Sequence, residues 1–156
     1  MRVGIGYDVH RLVDEEDLII GGVLIPFSQG LEGHSDADVL THALIDALLG
    51  AAGLGDIGDH FPDTMDEYKD IDSLVLLGRV VNILNDRSYK LVNADLIIMA
   101  EAPRLAPYKE KMINNYIDIL DVEDSRINIK ATTTEGLGFV GQKEGLAAQA
   151  IVSLAK

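Results

Sequence analysis

Asp8 and His10 stand two apart in the run Val3-Gly4-Ile5-Gly6-Tyr7-Asp8-Val9-His10, whose β-branched and aromatic residues in loose alternation predict a strand. Positions i and i+2 of a strand share a face, so this carboxylate and this imidazole point the same way. His42 falls in a stretch of helical apolar spacing, with Asp38 and Asp46 four residues to either side on the same stripe. A strand Asp/His pair and a helical His can offer three ligands to a tetrahedral ion with one position open, the pattern of a catalytic zinc site. The same residues also suit a plainer arrangement: a hydrogen-bonded strand histidine and a second histidine on a polar helix face.

Two more clusters have chemical content. Gly33-His34-Ser35-Asp36-Ala37-Asp38 places a turn before the helix, with Ser35 or Asp36 as its expected cap. Free N–H groups at such a helix start can receive an anion, although an ordinary cap fits the pattern equally. Ala131-Thr132-Thr133-Thr134-Glu135-Gly136-Leu137-Gly138-Phe139 sets three hydroxyls and a carboxylate at the end of a predicted strand. Such a set can hold phosphate oxygens and a hard cation such as Mg²⁺, or can be only a structural Gly-rich turn. The Gly and Lys spacing of a P-loop is missing, which removes ordinary ATPase readings.

The elements that must position these groups follow from periodicity and breakers. After the first strand, Asp14 to Asp17 form an acidic turn, and Leu18 to Pro26 read as a hairpin about Gly21-Gly22. Gly30 to Gly33 begin a loop, and the first helix runs to about Ala52. Gly53 to Asp63 is too rich in Gly and Asp for regular structure, and Ile57 and Phe61 within it favour a functional loop. Further helices are expected over Ser73 to about Asn85, Tyr108 to Leu120 and Lys143 to Leu154, with strands at Leu91 to Met99 and Ile127 to Thr132. There is no internal repeat or linker, so the expectation is one α+β domain over 1–156, a small sheet with helices packed on one face.

Composition bounds the function. With 26 acidic and 13 basic residues the net charge is −13, which argues against sequence-independent binding to nucleic acid or to an anionic membrane. Residues 1–70 hold 15 acids against three bases, and also all four histidines, where a divalent cation would be sought. The absence of Cys excludes disulfides and thiolate chemistry. No stretch has the roughly 20 apolar residues of a membrane span, and the N-terminus lacks a signal-peptide profile, so a cytoplasmic location is expected.

Taken together, Gly6-Tyr7-Asp8-Val9-His10, Gly33-His34-Ser35-Asp36-Ala37-Asp38-Val39, Gly55-Asp56-Ile57-Gly58-Asp59-His60-Phe61-Pro62-Asp63, Ala102-Pro103 and Thr132-Thr133-Thr134-Glu135 resemble one family over essentially the whole chain. It is the 2-C-methyl-D-erythritol 2,4-cyclodiphosphate synthase family. The resemblance implies that a CDP-linked methylerythritol 2-phosphate cyclises through attack of its 2-phosphate on the β-phosphorus, releasing CMP. It implies Zn²⁺ on Asp8, His10 and His42, and Mg²⁺ or Mn²⁺ on Glu135 with the substrate diphosphate. His34 and Thr133 match transition-state donors, while Ser35, Ile57, Phe61 and Asp63 match the methylerythritol phosphate pocket. Asp56 and Gly58 match ribose contacts, and Ala100 to Ala106, including Pro103, Arg104 and Leu105, match the cytosine pocket. Thr132, Thr134, Phe139 and Gln142 complete the implied substrate contacts. The resemblance also implies a homotrimer whose active sites lie between neighbouring subunits.

Two positions depart from the family pattern. Gln142 stands where Arg is common, which weakens any anion contact in a central trimer cavity, with Lys143 as a possible substitute. Arg104 stands where Lys is common, and a guanidinium does not place charge as an ammonium does. His60 is expected to brace its loop by a hydrogen bond, Asp46 to orient a ligand or water, and Asp38 to start a helix rather than bind metal. Other readings of the same residues are a zinc phosphodiesterase that directs water at phosphorus and a non-enzymatic nucleotide- or isoprenoid-sensing trimer.

Overall fold

The computed structural model describes residues 1–156. Strand β1 (Arg2–Asp14) turns Gly4, Gly6 and Leu12 inward and leaves Val3, Ile5, Tyr7 and Val9 exposed on the other face. The hairpin β2 (Leu18–Ile20) and β3 (Val23–Ile25) closes through Gly21 and Gly22, both at positive φ. Next come β4 (Gln29–Leu31), α1 (Val39–Ala52), the one-turn helix α2 (Ile57–His60) and α3 (Ser73–Asp86). The chain ends with β5 (Lys90–Met99), α4 (Lys109–Leu120), β6 (Ile127–Thr132), the short α5 (Gly138–Gly141) and β7 (Gly145–Ala155).

The main sheet has the order β4-β1-β7-β5-β6. Only β5 and β6 run parallel, and α4 lies within the crossover that a parallel pair requires. Helix α1 lies across β1 and β7, and one continuous core of 37 buried residues joins the hairpin, the helices and the inner sheet face. The result is the single α+β unit expected, with helices on one side of the sheet. No helix is long and apolar enough to cross a membrane.

The contact between β1 and α1 is unusually close, and glycine makes it so. A Cβ on Gly6 would sit 2.0 Å from the Ala43 carbonyl oxygen, and one on Gly4 would sit 2.0 Å from that of Ala47. Those obstacles are helix backbone, so the helix can approach the strand only where no side chain intervenes. Ala43, Ala47 and Ala51 keep the facing side of α1 equally thin. The strand carrying Asp8 and His10 and the helix carrying His42 are thus drawn together by a small-residue seam.

Asp38 anchors the start of α1. It is fully buried, and its carboxylate accepts bonds from Gly21 N (2.9 Å), Gly22 N (2.7 Å), Thr41 N (3.1 Å) and Thr41 Oγ1 (2.7 Å). With its own hydroxyl proton committed, Thr41 Oγ1 accepts from the Tyr116 hydroxyl at 2.9 Å. The cap is therefore Asp38 rather than Ser35 or Asp36, and its carboxylate fills the helix start where an exogenous anion was one expectation.

Three local expectations are corrected. Lys143 to Leu154 is not a helix: β7 fills most of it, paired with β1 on one side and β5 on the other. Its Ala and Leu content favours helix locally, but every second residue from Leu146 to Leu154 is buried, and two complete ladders outweigh propensity differences of a few tenths of a kcal/mol. Gly30 and Leu31, read as the start of a loop, belong with Gln29 to a strand paired with the end of β1, Leu31 opposite Leu12. Within Gly53 to Asp63, residues Ile57–His60 form α2, because Asp56 caps them by accepting from Asp59 N at 3.0 Å.

Candidate functional site

The seam brings three ligand atoms into a small triangle. Asp8 Oδ2 lies 3.0 Å from His10 Nε2 and 3.1 Å from His42 Nδ1, and the two ring nitrogens are 3.2 Å apart. Four-coordinate zinc with bonds of about 2.0–2.1 Å has ligand-to-ligand edges of about 3.3 Å. The donor set, one carboxylate and two imidazoles, and its spacing both fit that ion. It is the only group of three His, Asp or Glu ligand atoms so clustered in the chain.

Electrostatics at the triangle follow from this crowding. Burial alone would raise the Asp8 carboxyl, but the hydrogen bonds and positive charge that the His10 and His42 rings supply when protonated prevail and hold it well below the usual carboxylate range. Burial pulls His10 down, yet the Asp8 hydrogen bond and charge, helped by the Glu32 carbonyl, raise it above the ordinary 6.5. His10 Nδ1 donates to Glu32 O at 2.7 Å, which leaves Nε2 to face the centre.

Asp8, His10 and His42 open onto a cavity of about 410 Å³ also lined by His34, Ser35, Ile57, Gly58, Phe61 and Asp63. The one-turn α2 delivers Ile57 and Gly58, and two side chains brace it. Asp46 accepts from Ile57 N at 2.8 Å, and His60 Nε2 donates to Leu54 O at 2.8 Å. His60 thus holds its loop as expected. Asp46 also holds that loop, and it makes no hydrogen bond to Asp8, His10 or His42. Tyr68 and Leu76 line the same cavity and stood out in no sequence motif; Tyr68 meets Phe61 edge-on at 5.5 Å.

A second cavity, of about 330 Å³, is formed by Ala100 to Ala106 with Ala131, Thr132 and Thr133, and includes Pro103, Arg104 and Leu105. It shares no lining residue with the first. Beside it, the Glu101 carboxylate accepts from Thr134 N (2.8 Å) and Gly136 N (3.3 Å). Those backbone bonds outweigh a small burial effect and depress the Glu101 carboxyl. They also hold Glu135 at φ 55°, a left-handed conformation uncommon for a non-glycine residue. Glu135 Oε1 accepts from Thr133 Oγ1 at 3.0 Å.

Asp56, Thr134, Glu135, Phe139 and Gln142 line neither cavity within a single chain. Phe139 is exposed, and Gln142 donates to Gly136 O at 3.0 Å, closing the loop that carries Glu135. Sequence reasoning passed over Glu101 because an isolated acid beside Pro has no distinguishing pattern. It passed over Ser73 for a similar reason: the residue reads as the start of a helix, yet its Oγ lies 2.8 Å from His42 Nε2.

Comparison with known proteins agrees with this geometry. The YgbB family model matches residues 1–155. The chain is 60% identical over 154 residues to 2-C-methyl-D-erythritol 2,4-cyclodiphosphate synthase of Halothermothrix orenii, covering 99% of this chain and 93% of that one. It is 59% identical to the synthase of the same name from Alkaliphilus metalliredigens, covering 99% and 97%. Among solved structures, a CDP-bound 2C-methyl-D-erythritol-2,4-cyclodiphosphate synthase superposes with a TM-score of 0.90 at 36% identity, covering 99% of this chain and 100% of that one. The bifunctional IspDF of Campylobacter jejuni gives a TM-score of 0.94 at 45% identity; 98% of this chain spans 42% of that one. With the match running from end to end at this identity, the chain belongs to the YgbB family, that of the 2-C-methyl-D-erythritol 2,4-cyclodiphosphate synthases.

Proposed function

We propose that the chain is a phosphorus–oxygen lyase that converts 4-diphosphocytidyl-2-C-methyl-D-erythritol 2-phosphate to 2-C-methyl-D-erythritol 2,4-cyclodiphosphate and CMP. The observation that carries this reading is the Asp8–His10–His42 triangle at the wall of a cavity that also presents His34, Ser35 and Asp63. An oxygen of the substrate's 2-phosphate forms the new bond to the β-phosphorus. The bond from that phosphorus to the bridging oxygen breaks, and CMP leaves with the oxygen and its electron pair. No base is needed, since a phosphate dianion is already a nucleophile near neutral pH. Both reacting groups belong to one molecule, so holding them in line supplies much of the rate.

Zn²⁺ on Asp8, His10 and His42 would screen the repulsion between the phosphates and polarise phosphorus. The chain's own groups do the positioning. Ser35, Ile57, Phe61 and Asp63 shape the methylerythritol side, while Gly58 and Asp56, which caps the helix beneath them, meet the ribose hydroxyls. The backbone from Ala100 to Ala106 presents its polar groups to the base. His34 and Thr133 donate hydrogen bonds to phosphate oxygens, where charge builds as the bond changes hands. Glu135, one carboxylate alone in its loop, suits Mg²⁺ or Mn²⁺ whose remaining ligands are oxygens of the diphosphate. Thr132, Thr134, Phe139 and Gln142 complete that side.

The two cavities share no residue, and the outer sheet face carries Val3, Ile5, Tyr7, Val9 and Ile151 exposed together. Such a patch marks a protein contact. Both features support a homotrimer in which the metal half of one subunit meets the nucleotide half of the next. The test of the activity is ³¹P NMR of the reaction with the CDP-linked substrate. The expected products are the cyclic diphosphate and CMP; linear phosphates with CMP would replace cyclisation by hydrolysis and overturn the reading.

A further inference from the structure

We propose that Asp36 and Ser73 are positioning residues for the metal site, a relay that dictates which nitrogen of His42 carries its proton. This rests on the reading of Asp8, His10 and His42 as metal ligands, and concerns how one of them is prepared.

The hydrogen-bond directions leave one solution. Asp36 Oδ2 accepts from Ser73 N at 2.9 Å, and its Oδ1 is in short contact with Ser73 Oγ. The Ser73 hydroxyl donates its single proton to Asp36 Oδ1. Ser73 Oγ can then only accept from its third neighbour, His42 Nε2, at 2.8 Å. The proton of a neutral His42 ring therefore sits on Nε2, and the lone pair of Nδ1 faces Asp8 and His10 at 3.1 and 3.2 Å. Ser35 Oγ lies 3.1 Å from the same Nε2 and is the longer of its two hydroxyl contacts. It also takes a bond from Ala37 N at 3.4 Å.

The relay is built rather than incidental. Ser73 is completely buried, at the first turn of α3. The segments that hold the pair are stitched together by Asp36 N to Ile71 O (3.2 Å) and Asp70 N to His34 O (2.9 Å). A rotation of His42 about its ring axis would break its bond to the fully buried Ser73 hydroxyl. Helix α3 thereby fixes a ligand carried by α1, and the fold's third helix enters the metal chemistry without touching the metal. Outer partners of this kind change metal affinity by roughly 10–100-fold.

The test is zinc affinity of the full-length protein by competition with a chromophoric chelator, together with the visible spectrum of the cobalt(II)-loaded protein. Ser73→Ala is expected to weaken zinc binding about 10–100-fold and to perturb the cobalt bands. Ser73→Thr, which restores the hydroxyl, is expected to recover most of both. Asp36→Asn, whose amide can donate to Ser73 Oγ and free the hydroxyl to rotate, is expected to fall between wild type and Ser73→Ala. If Ser73→Ala binds zinc with wild-type affinity and an unchanged cobalt spectrum while Asp8→Ala loses the metal, the relay is refuted and the ligand set stands. If Asp8→Ala also keeps zinc, the ligand set itself fails. Equal loss in Ser73→Ala and in a folded Ser73→Thr would assign the effect to packing and overturn the relay.

Discussion

Replacing Gly6 by Ala tests whether the close seam between β1 and α1 builds the metal site. The new Cβ would sit 2.0 Å from Ala43 O and 2.7 Å from Ala47 N, against 3.4 Å or more for ordinary contact. Both obstacles are backbone atoms of a hydrogen-bonded helix, so the helix must retreat as a body by about 3.4 − 2.0 = 1.4 Å. Overpacking of this kind costs about 1–3 kcal/mol, and a clash with backbone belongs at the upper end. His42 adjoins Ala43, so the same retreat opens the 3.1 Å and 3.2 Å edges that tie its Nδ1 to Asp8 and His10. A tetrahedral site tolerates only about 0.2 Å in its ligand distances. Zinc affinity should therefore fall by at least about 100-fold, the upper end of what outer partners alone produce. Urea denaturation followed by circular dichroism reads the first effect, and chelator competition the second. Gly78→Ala is the control: its Cβ would meet nothing within 4 Å on α3, and it should stabilise by about 0.5–1 kcal/mol with zinc affinity unchanged. A Gly6→Ala protein with wild-type urea midpoint and wild-type zinc affinity would refute the seam as the cause of the site.

Three further outcomes are expected. In the metal-free protein the raised His10 contributes stability that is complete below 6.5 and fades as pH rises through its raised value; Asp8, held low, contributes above 3.8 and loses this as pH falls through its depressed value. Zinc must displace the His10 proton, so zinc affinity should fall about tenfold per pH unit below that raised value, and a flat chelator titration from pH 6 to 8 would contradict it. Glu101→Ala removes the acceptor for Thr134 N and Gly136 N; amide exchange should accelerate at Thr134 to Gly136 while zinc affinity stays put, and unchanged protection there would show the loop to be held otherwise. Asp8→Ala and Thr133→Ala should each abolish activity, yet after subunit exchange their mixture should regain about a quarter of it if each site joins two chains; no recovery in demonstrably mixed oligomers would place both halves in one chain.

Much of the site was legible before folding because its residue types are chemically narrow. A carboxylate and imidazole two apart on a strand, with a third ligand on a helix, admit few uses, and Asp8, His10 and His42 do converge. The hairpin about Gly21-Gly22 and helices α1, α3 and α4 were equally readable, since their apolar spacing and breakers act over a few residues. Local pattern misled at Gly145–Ala155, where helix-favouring alanines form a central strand because two neighbours offer complete ladders. It read Ser73 only as a helix start and Asp36 only as a candidate cap, and was silent on Glu101, because their roles depend on partners 31, 37 and 33 residues away in the chain.

The amino-acid sequence by itself determined the set of metal-ligand groups, the excess of acid around them and the family to which the chain belongs. These depend on residue identity and order alone. Tertiary structure decided that Asp38 serves a helix cap, that Asp46 braces a loop, and that Gly6 lets a helix come near enough for His42 to meet Asp8. Those outcomes hang on distances of a few tenths of an ångström between segments remote in the chain, and only packing sets distances of that kind.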